Sequence, residues 1–161
     1  MKTIKFVKPK SVDVYNILDL WKQQHNYHIK LDPFYYTSDS NELTKKAKRY
    51  FTQLIKTDNP HLLIAKIKGR IVGFITFECS FNQNDSGNII NFGSNIIKCG
   101  EIIDLFVIES ERGKNIGTKL MKKAVEKLKK EGAQFIKVEV SYINSGALKL
   151  YRRLGFSDHQ I

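Results

Sequence analysis

Apolar residues recur along the chain with two different spacings. Through residues 11–28 the spacing is helical, because Val14, Ile17, Leu18 and Trp21 fall on one face of a helix. Short runs rich in β-branched and aromatic residues predict strands instead. Together the segments predict elements in the order β-α-α-β-β-β-α-β-α. Their predicted bounds are residues 3–7, 11–28, 41–56, 61–67, 71–80, 97–108, 113–131, 135–140 and 145–154.

Local signals mark the ends of several elements. Ser11 is an N-cap candidate for the first helix, and Asp39 with Glu42 fits a capping box for the second. Residues 68–70, Lys-Gly-Arg, turn the chain between the two strands of a hairpin. The polar residues 82–95 predict a flexible loop.

This order of elements predicts an α/β fold, with one mixed sheet that carries helices on both faces. The strands at 97–108 and 135–140 flank a strongly amphipathic helix, so we expect them to be parallel and joined right-handed. The chain has 161 residues without an evident linker or repeat, which predicts one domain over residues 1–161.

Composition narrows the class of protein. No apolar stretch is long enough to cross a bilayer, and charges interrupt the apolar residues at the start, which excludes a signal peptide. We therefore expect a cytoplasmic protein with no membrane partner. The net charge of +11 attracts anions but does not choose among nucleic acid, membrane phosphates and a phosphorylated cofactor. Cys79 and Cys99 could face each other on neighbouring strands, and we expect two reduced thiols.

The turn that enters the helix at 113–131 carries candidate binding chemistry. Small residues there let the backbone approach a ligand closely, and the N–H groups at a helix start attract anions. Arg112 and Lys114 add positive charge, and the Thr118 hydroxyl can donate to a phosphate oxygen. The turn is neither a P-loop nor a dinucleotide fingerprint. It predicts a site for a pyrophosphate group.

The sequence around this turn resembles a known family. Residues 101–107, Glu-Ile-Ile-Asp-Leu-Phe-Val, and residues 112–117, Arg-Gly-Lys-Asn-Ile-Gly, are similar to motif A of the GNAT superfamily of N-acetyltransferases. The family's turn reads Arg/Gln-x-x-Gly-x-Gly/Ala. Asn115 stands where the first glycine is usual, and asparagine tolerates glycine-like backbone angles, so we expect the loop to keep its shape. A second block fits the family's Asn-x-x-Ala-x-x-Leu/Phe-Tyr-x-x-x-Gly-Phe signature. Its matching residues are Asn144, Ala147, Tyr151, Gly155 and Phe156.

The resemblance implies a GNAT-like fold and an acetyl-CoA-dependent N-acetyltransferase that acts on a primary amine of a small molecule or a peptide. It implies Tyr151 as the general acid for the thiolate leaving group and Glu101 as the general base for the amine. It also makes a homodimer possible. The residues that it implies for binding acetyl-CoA are Leu105, Phe106, Val107, Arg112, Gly113, Lys114, Asn115, Ile116, Gly117, Thr118 and Asn144.

The base remains open among three carboxyl groups. One is needed because a lysine-like amine, with a pKa near ~10.4, is almost wholly protonated at pH 7. Asp104 and Glu139, on strands beside the expected cleft, are alternatives to Glu101. Since side chains alternate along a strand, Glu101 and Asp104 are expected on opposite faces.

The acceptor side rests on aromatic residues. Trp21, His25, Tyr27, His28 and the aromatic residues 34–36 could line an amine pocket. No metal site is expected, because no carboxylate or cysteine set joins the histidines. Two other hypotheses stay open. One is a basic nucleic-acid-binding domain, which is disfavoured because no such signature is present. The other is a CoA-binding module without catalysis.

Overall fold

A computed structural model describes residues 3–36, 40–81 and 97–158 of the chain. In these ranges five strands form one sheet in the order β1-β2-β3-β4-β5. The order of strands and helices confirms the sequence prediction, with added 3-10 turns at Ser11–Asp13 and Glu109–Glu111. The bounds are β1 Ile4–Val7, α1 Val14–Leu31, α2 Asn41–Lys56, β2 His61–Ile67, β3 Arg70–Phe81, β4 Lys98–Val107, α3 Ile116–Lys130, β5 Phe135–Val138 and α4 Ser145–Arg153.

The sheet carries helices on both faces, as predicted. On one face, Phe51 of α2 packs edge-on against Phe74 of β3, with ring centroids 5.6 Å apart. On the other face, α3 lies so close to β4 that a side chain at Gly100 would meet Leu128 at 2.9 Å. Buried apolar side chains fill both interfaces, and their removal from water is the main favourable term in folding.

Strands β4 and β5 are parallel, which confirms the predicted pairing across α3. The pairing ends at Ile102 and Val138, whereas β4 continues to Val107. Strand β3 stays paired with β4 over this remaining length. Within the described residues, the end of β4 therefore has one edge paired with β3 and the other edge without a strand partner.

The capping residues of the first two helices differ from the prediction, although α2 spans the predicted residues 41–56. Helix α2 is capped by Ser40, whose hydroxyl accepts the Leu43 N–H at 3.1 Å, and the predicted cap Asp39 lies outside the described residues. Ser11 opens a 3-10 turn instead of capping α1. Asp13 accepts the Lys10 N–H at 2.9 Å and so satisfies a donor at the start of this turn.

The two cysteines lie on neighbouring strands but do not face each other. Cys79 pairs with Gly100, whereas Cys99 pairs with Ser80. Adjacent residues of a strand point to opposite faces, so the two thiols project from opposite sides of the sheet. Both cysteines are free, as expected.

The remaining predictions about the fold concern a loop and membrane-spanning segments. The flexible loop predicted at residues 82–95 lies outside the described residues. In the described ranges, every helix is too short or too polar to cross a membrane.

Candidate active site

A groove of about 340 Å³ opens beside the part of β4 that extends past β5. Its walls come from α1, the end of β4, the turn before α3, the first turn of α3, and α4. It contains Tyr151 and every residue that the resemblance implied for acetyl-CoA except Lys114. The lining residues are Gln24, Tyr27, His28, Leu105, Phe106, Val107, Glu111, Arg112, Gly113, Asn115, Ile116, Gly117, Thr118, Asn144, Gly146, Ala147, Leu150, Tyr151 and Arg153.

The turn before α3 has the backbone of a glycine-rich loop. Gly113 has φ +75°, and Asn115 lies in the left-handed region with φ +60° and ψ 17°, which confirms the expectation for Asn115. These conformations delay α3 to Ile116, three positions after the predicted start. The Asn115 side chain does not cap the helix. The first N–H groups of α3 therefore lack a side-chain cap beside the groove, an arrangement that suits an anion.

The two cations of this turn have different positions. Arg112 lines the groove, where its Nε donates to the Val107 carbonyl at 3.0 Å and its guanidinium lies 4.9 Å from the centre of the Tyr27 ring. The Lys114 ammonium instead donates to the Ser110 carbonyl and to Glu111, both at 2.8 Å. These two bonds hold the Lys114 ammonium, and Lys114 is not part of the groove lining.

Helix α4 contributes the residues of the second sequence block. Asn144 caps this helix, because its Oδ1 accepts the Ala147 N–H at 3.2 Å. Tyr151 lies two turns further along and packs against Phe156, with ring centroids 6.0 Å apart. Burial, together with the negative charge of Asp104, raises the pKa of Tyr151 to about 12. The Tyr151 hydroxyl therefore keeps its proton at neutral pH.

Glu101 and Asp104 lie on the same face of β4, so the prediction of opposite faces was wrong. Thr76 of β3 pairs with Asp104, and Glu78 pairs with Glu101. Two positions separate the β3 residues, but three separate the β4 residues, because the register shifts next to Phe77. This β-bulge inserts one extra residue of β4 into the ladder. Directly paired residues share a face, which brings both carboxyl groups to the side of α1 and α2.

Asp104 is enclosed beneath α1 with two hydrogen-bond donors. Thr76 Oγ1 and Gln24 Nε2 each donate to its carboxylate at 3.1 Å. Burial raises the pKa of Asp104, and the hydrogen bonds and nearby His28 offset only part of that rise. A carboxyl group with a raised pKa beside a groove is a candidate proton acceptor.

All three candidate carboxyl groups lie outside the groove lining, but their contacts differ. The Glu101 carboxylate forms an ion pair of 2.9 Å with Lys137 of β5. Glu139 is exposed just beyond the end of β5. Asp104, by contrast, accepts a hydrogen bond from the groove residue Gln24.

The predicted aromatic segment supplies part of the groove wall. Tyr27 and His28 line the groove, and His28 packs against Tyr36 with ring centroids 4.9 Å apart. Trp21 stacks on His25 at 5.3 Å, and neither residue is part of the lining. Of the predicted acceptor residues, Tyr27 and His28 thus line the groove, whereas Trp21, His25 and the aromatic residues 34–36 do not. Their role toward an amine stays a prediction.

The sequence prediction did not include Gln24. This residue is 5% exposed and follows Ile17 by two helical turns on the buried face of α1. The helical spacing of α1 predicts an apolar residue at this position, and the sequence has a glutamine there. That mismatch is the signal that could have identified Gln24.

Comparison with known proteins gives consistent matches. The chain matches the Acetyltransferase (GNAT) family over residues 17–156. It is 32% identical to an uncharacterized N-acetyltransferase of Methanocaldococcus jannaschii, over 94% of this chain and 67% of that protein. It is 25% identical to an N-alpha-acetyltransferase of Sulfurisphaera tokodaii, over 70% of this chain and 65% of that protein. The matched region thus spans about two thirds of these two relatives.

A solved structure agrees with the fold. The crystal structure of a predicted acetyltransferase from Clostridium acetobutylicum with acetyl-CoA superimposes with a TM-score of 0.72 at 17% identity. The superposition covers 98% of this chain and 92% of that one.

Proposed function

The chain belongs to the GNAT acetyltransferase family, whose acyl donor is acetyl-CoA, and on this premise we propose that it transfers the acetyl group directly to a primary amine in the groove. It is an N-acetyltransferase, and the proposal concerns its acceptor and the residues that act in the transfer. One observation carries the proposal: the open edge of β4, the uncapped start of α3 and the protonated Tyr151 converge on a single groove.

The groove has the donors that acetyl-CoA needs. The first N–H groups of α3, at residues 116–118, and the side chain of Arg112 would hold the pyrophosphate. The free edge of β4 at residues 105–107 would form strand-like hydrogen bonds with the pantetheine arm. Asn144 would add a side-chain bond to the same arm. Lys114 acts on this cofactor, in our proposal, only through its long-range charge.

Tyr151 serves as the general acid in this proposal. As the amine nitrogen bonds to the acetyl carbon, the bond from that carbon to sulfur breaks, and Tyr151 gives its proton to the departing sulfur. The nitrogen then loses its second proton on becoming an amide, and that proton returns through water to the Tyr151 oxygen. A pKa of about 12 keeps the proton on Tyr151 until sulfur develops charge. A backbone N–H of β4 would stabilise the carbonyl oxygen as it gains negative charge.

Asp104 is the base that the geometry favours over Glu101. It hydrogen-bonds to the groove residue Gln24, whereas Glu101 is already paired with Lys137. The acceptor enters as an ammonium ion, and Asp104 takes one of its protons, directly or through water, to free the lone pair. Burial raises the proton affinity of Asp104 and so brings its pKa closer to working pH.

The acceptor in our proposal is an α-amino group of a peptide or a small primary amine. The relative from Sulfurisphaera tokodaii is an N-alpha-acetyltransferase, which makes a peptide N-terminus the first acceptor to test. A chain with a net charge of +11 repels polycations at long range, so polyamines are disfavoured. Formation of a homodimer stays a prediction.

Two measurements test the proposal. Thermal unfolding is followed with acetyl-CoA and with ADP as the anion control. Acetyl-CoA at about a hundred times its dissociation constant should add roughly 2.7 kcal/mol, a rise of about 5–11 °C. Acetyl transfer is then followed by mass spectrometry with a peptide bearing a free N-terminus, an N-terminally blocked peptide containing lysine, and 2-phenylethylamine. No rise at millimolar acetyl-CoA, or no transfer to any of the three amines, would contradict it.

A further inference from the structure

Gln24 has a hydrogen-bonding group that the fold itself does not use. The residue is 5% exposed and lines the groove. Its Nε2 donates to Asp104 at 3.1 Å. Its Oε1 is buried and has no hydrogen-bond partner among the described residues. Buried polar atoms are nearly always paired, so this oxygen calls for a partner from outside the fold.

The orientation of the Gln24 amide follows from its neighbour. An ionised carboxylate only accepts hydrogen bonds, so the amide must turn its NH₂ group toward Asp104 and its oxygen away. Thr76 donates to the other oxygen of the same carboxylate and strengthens this arrangement. The bond to Asp104 therefore fixes the orientation of the amide and leaves the Gln24 oxygen as a hydrogen-bond acceptor.

The residues around Gln24 suit the binding of an amine in the groove. His28 lies one helical turn later on α1 and lines the same groove. Burial lowers the pKa of His28, with nearby Asp104 opposing that shift, so His28 is neutral at pH 7 and does not repel an ammonium ion. Tyr151 also lines the groove, and the negative charge of Asp104 contributes to its raised pKa. The acceptor oxygen of Gln24 thus belongs to a residue that bonds to the proposed base and lines the groove together with the proposed acid.

We propose that Gln24 Oε1 accepts an N–H hydrogen bond from the acceptor amine and so orients its lone pair toward the acetyl carbon. This inference rests on the proposed function and names an acceptor-binding residue for it. An alkylammonium ion has three N–H bonds, and after Asp104 takes one proton a primary amine still has two. One of them can bond to Gln24 during the attack. An alcohol has a single O–H hydrogen, which the base must remove, so Gln24 favours amines over hydroxyl acceptors.

The test uses two substitutions at Gln24 and one matched control. Gln24→Met keeps the length of the side chain and removes both hydrogen-bonding groups. Gln24→Glu keeps an acceptor oxygen, and the proton that two carboxyl groups about 3 Å apart share would replace the NH₂ donor to Asp104. Gln23→Met makes the same change at an exposed neighbour on α1. Steady-state kinetics at pH 8 are measured with whichever of the three amines above wild-type protein acetylates fastest, and acetyl-CoA is varied separately.

We expect Gln24→Met to raise the KM for the amine about tenfold, as for the loss of one hydrogen bond to a buried group. The KM for acetyl-CoA should stay within about twofold, Gln23→Met should match wild type, and Gln24→Glu should recover most of the amine KM. An unchanged amine KM in Gln24→Met would overturn the inference while the proposed function stands. So would equal losses in Gln24→Met and Gln24→Glu, because the restored acceptor oxygen would then make no difference to the amine KM. Absence of transfer by wild-type protein would overturn the proposed function and this inference together.

Discussion

The hydroxyl of Thr76 donates to Asp104 Oδ2 at 3.1 Å, and the two residues are direct cross-strand partners on β3 and β4. Strand β3 thereby holds a carboxyl group of β4 in the layer beneath α1. Because Gln24 donates to the other oxygen, the carboxylate is fixed from two sides. A carboxylate fixed in this way needs no reorganisation before it accepts a proton.

Replacement of Asp104 by asparagine should lower kcat/KM for the amine about 10²–10³-fold, the usual contribution of a general base. Burial raises the pKa of Asp104, and below that pKa the group is protonated and cannot act. Wild-type activity should therefore fall as the pH drops through the raised pKa, and Asp104→Asn should lose this acidic limb. The measurement is kcat/KM against pH for both proteins.

Glu101→Gln provides the matched carboxyl-to-amide control. Its carboxylate faces Lys137, so we expect kcat/KM to change by less than about threefold. A large loss in Glu101→Gln with near-normal activity in Asp104→Asn would return the role of base to Glu101.

The same Asp104→Asn variant should be more stable than wild type at neutral pH. Asp104 has a pKa above its ordinary value of 3.8 in the folded state, so the folded protein binds more protons than the unfolded one between the two values. Stability therefore falls as the pH rises through this window, and the deficit remains above it. Asparagine has no charge to bury and so avoids this loss of stability. Each 1 kcal/mol of unfolding free energy raises the unfolding midpoint by about 2–4 °C for a domain of this size.

Thermal unfolding at pH 8 and at pH 4 measures this effect. The stabilisation by Asp104→Asn should be larger at pH 8, where the wild-type carboxyl is ionised. Equal midpoints of wild type and variant at both pH values would show that burial of the charge carries no such cost.

Replacement of Tyr151 by phenylalanine should lower kcat about 10²-fold and leave the binding of acetyl-CoA almost unchanged. The hydroxyl has a pKa of about 12, so it stays protonated and wild-type kcat should not decline between pH 7 and 10 through this group. Tyr142→Phe, at a site that is 85% exposed, is the matched control. Burst and steady-state kinetics with the fastest amine check both expectations, and an unaltered kcat in Tyr151→Phe would remove it from the mechanism.

Substitutions of Asn115 test the backbone conformation of the turn before α3. Its φ of +60° is left-handed, a conformation that costs alanine about 1 kcal/mol and glycine nothing. Asn115→Ala should lower the free energy of unfolding by about 1 kcal/mol, because the loop has this angle without a ligand, and Asn115→Gly should lose less. Thermal unfolding of the two variants measures the difference, and equal midpoints would mean that this backbone angle carries no strain for alanine.

Sequence patterns predicted much of the fold because the signals involved are local. The apolar spacing of α3 and the bounds of α2 follow from side chains within one or two helical turns. The left-handed conformation at Asn115 was expected from the residue type and its position in the turn, and the structure confirms it. Asn144 at the start of α4 is a cap for the same local reason.

The positions of Glu101 and Gln24 depend on contacts between segments that are distant in the sequence. The face of Glu101 was mispredicted because the β-bulge next to Ile102 arises from pairing with β3, which alternation along β4 does not contain. Gln24 became a buried groove residue because α1 packs over Asp104, 80 positions away in the chain.

The sequence by itself determined the order of elements, the family and the turn that begins α3, since short-range periodicity, caps and backbone preferences encode them. Only the tertiary structure decided which carboxyl group bonds to a groove residue, which partners hold the Lys114 ammonium, and which polar group of α1 lacks a hydrogen-bond partner among the described residues. These properties depend on strand register and on the packing of a helix against a sheet, where a shift of one residue changes the face on which a side chain lies.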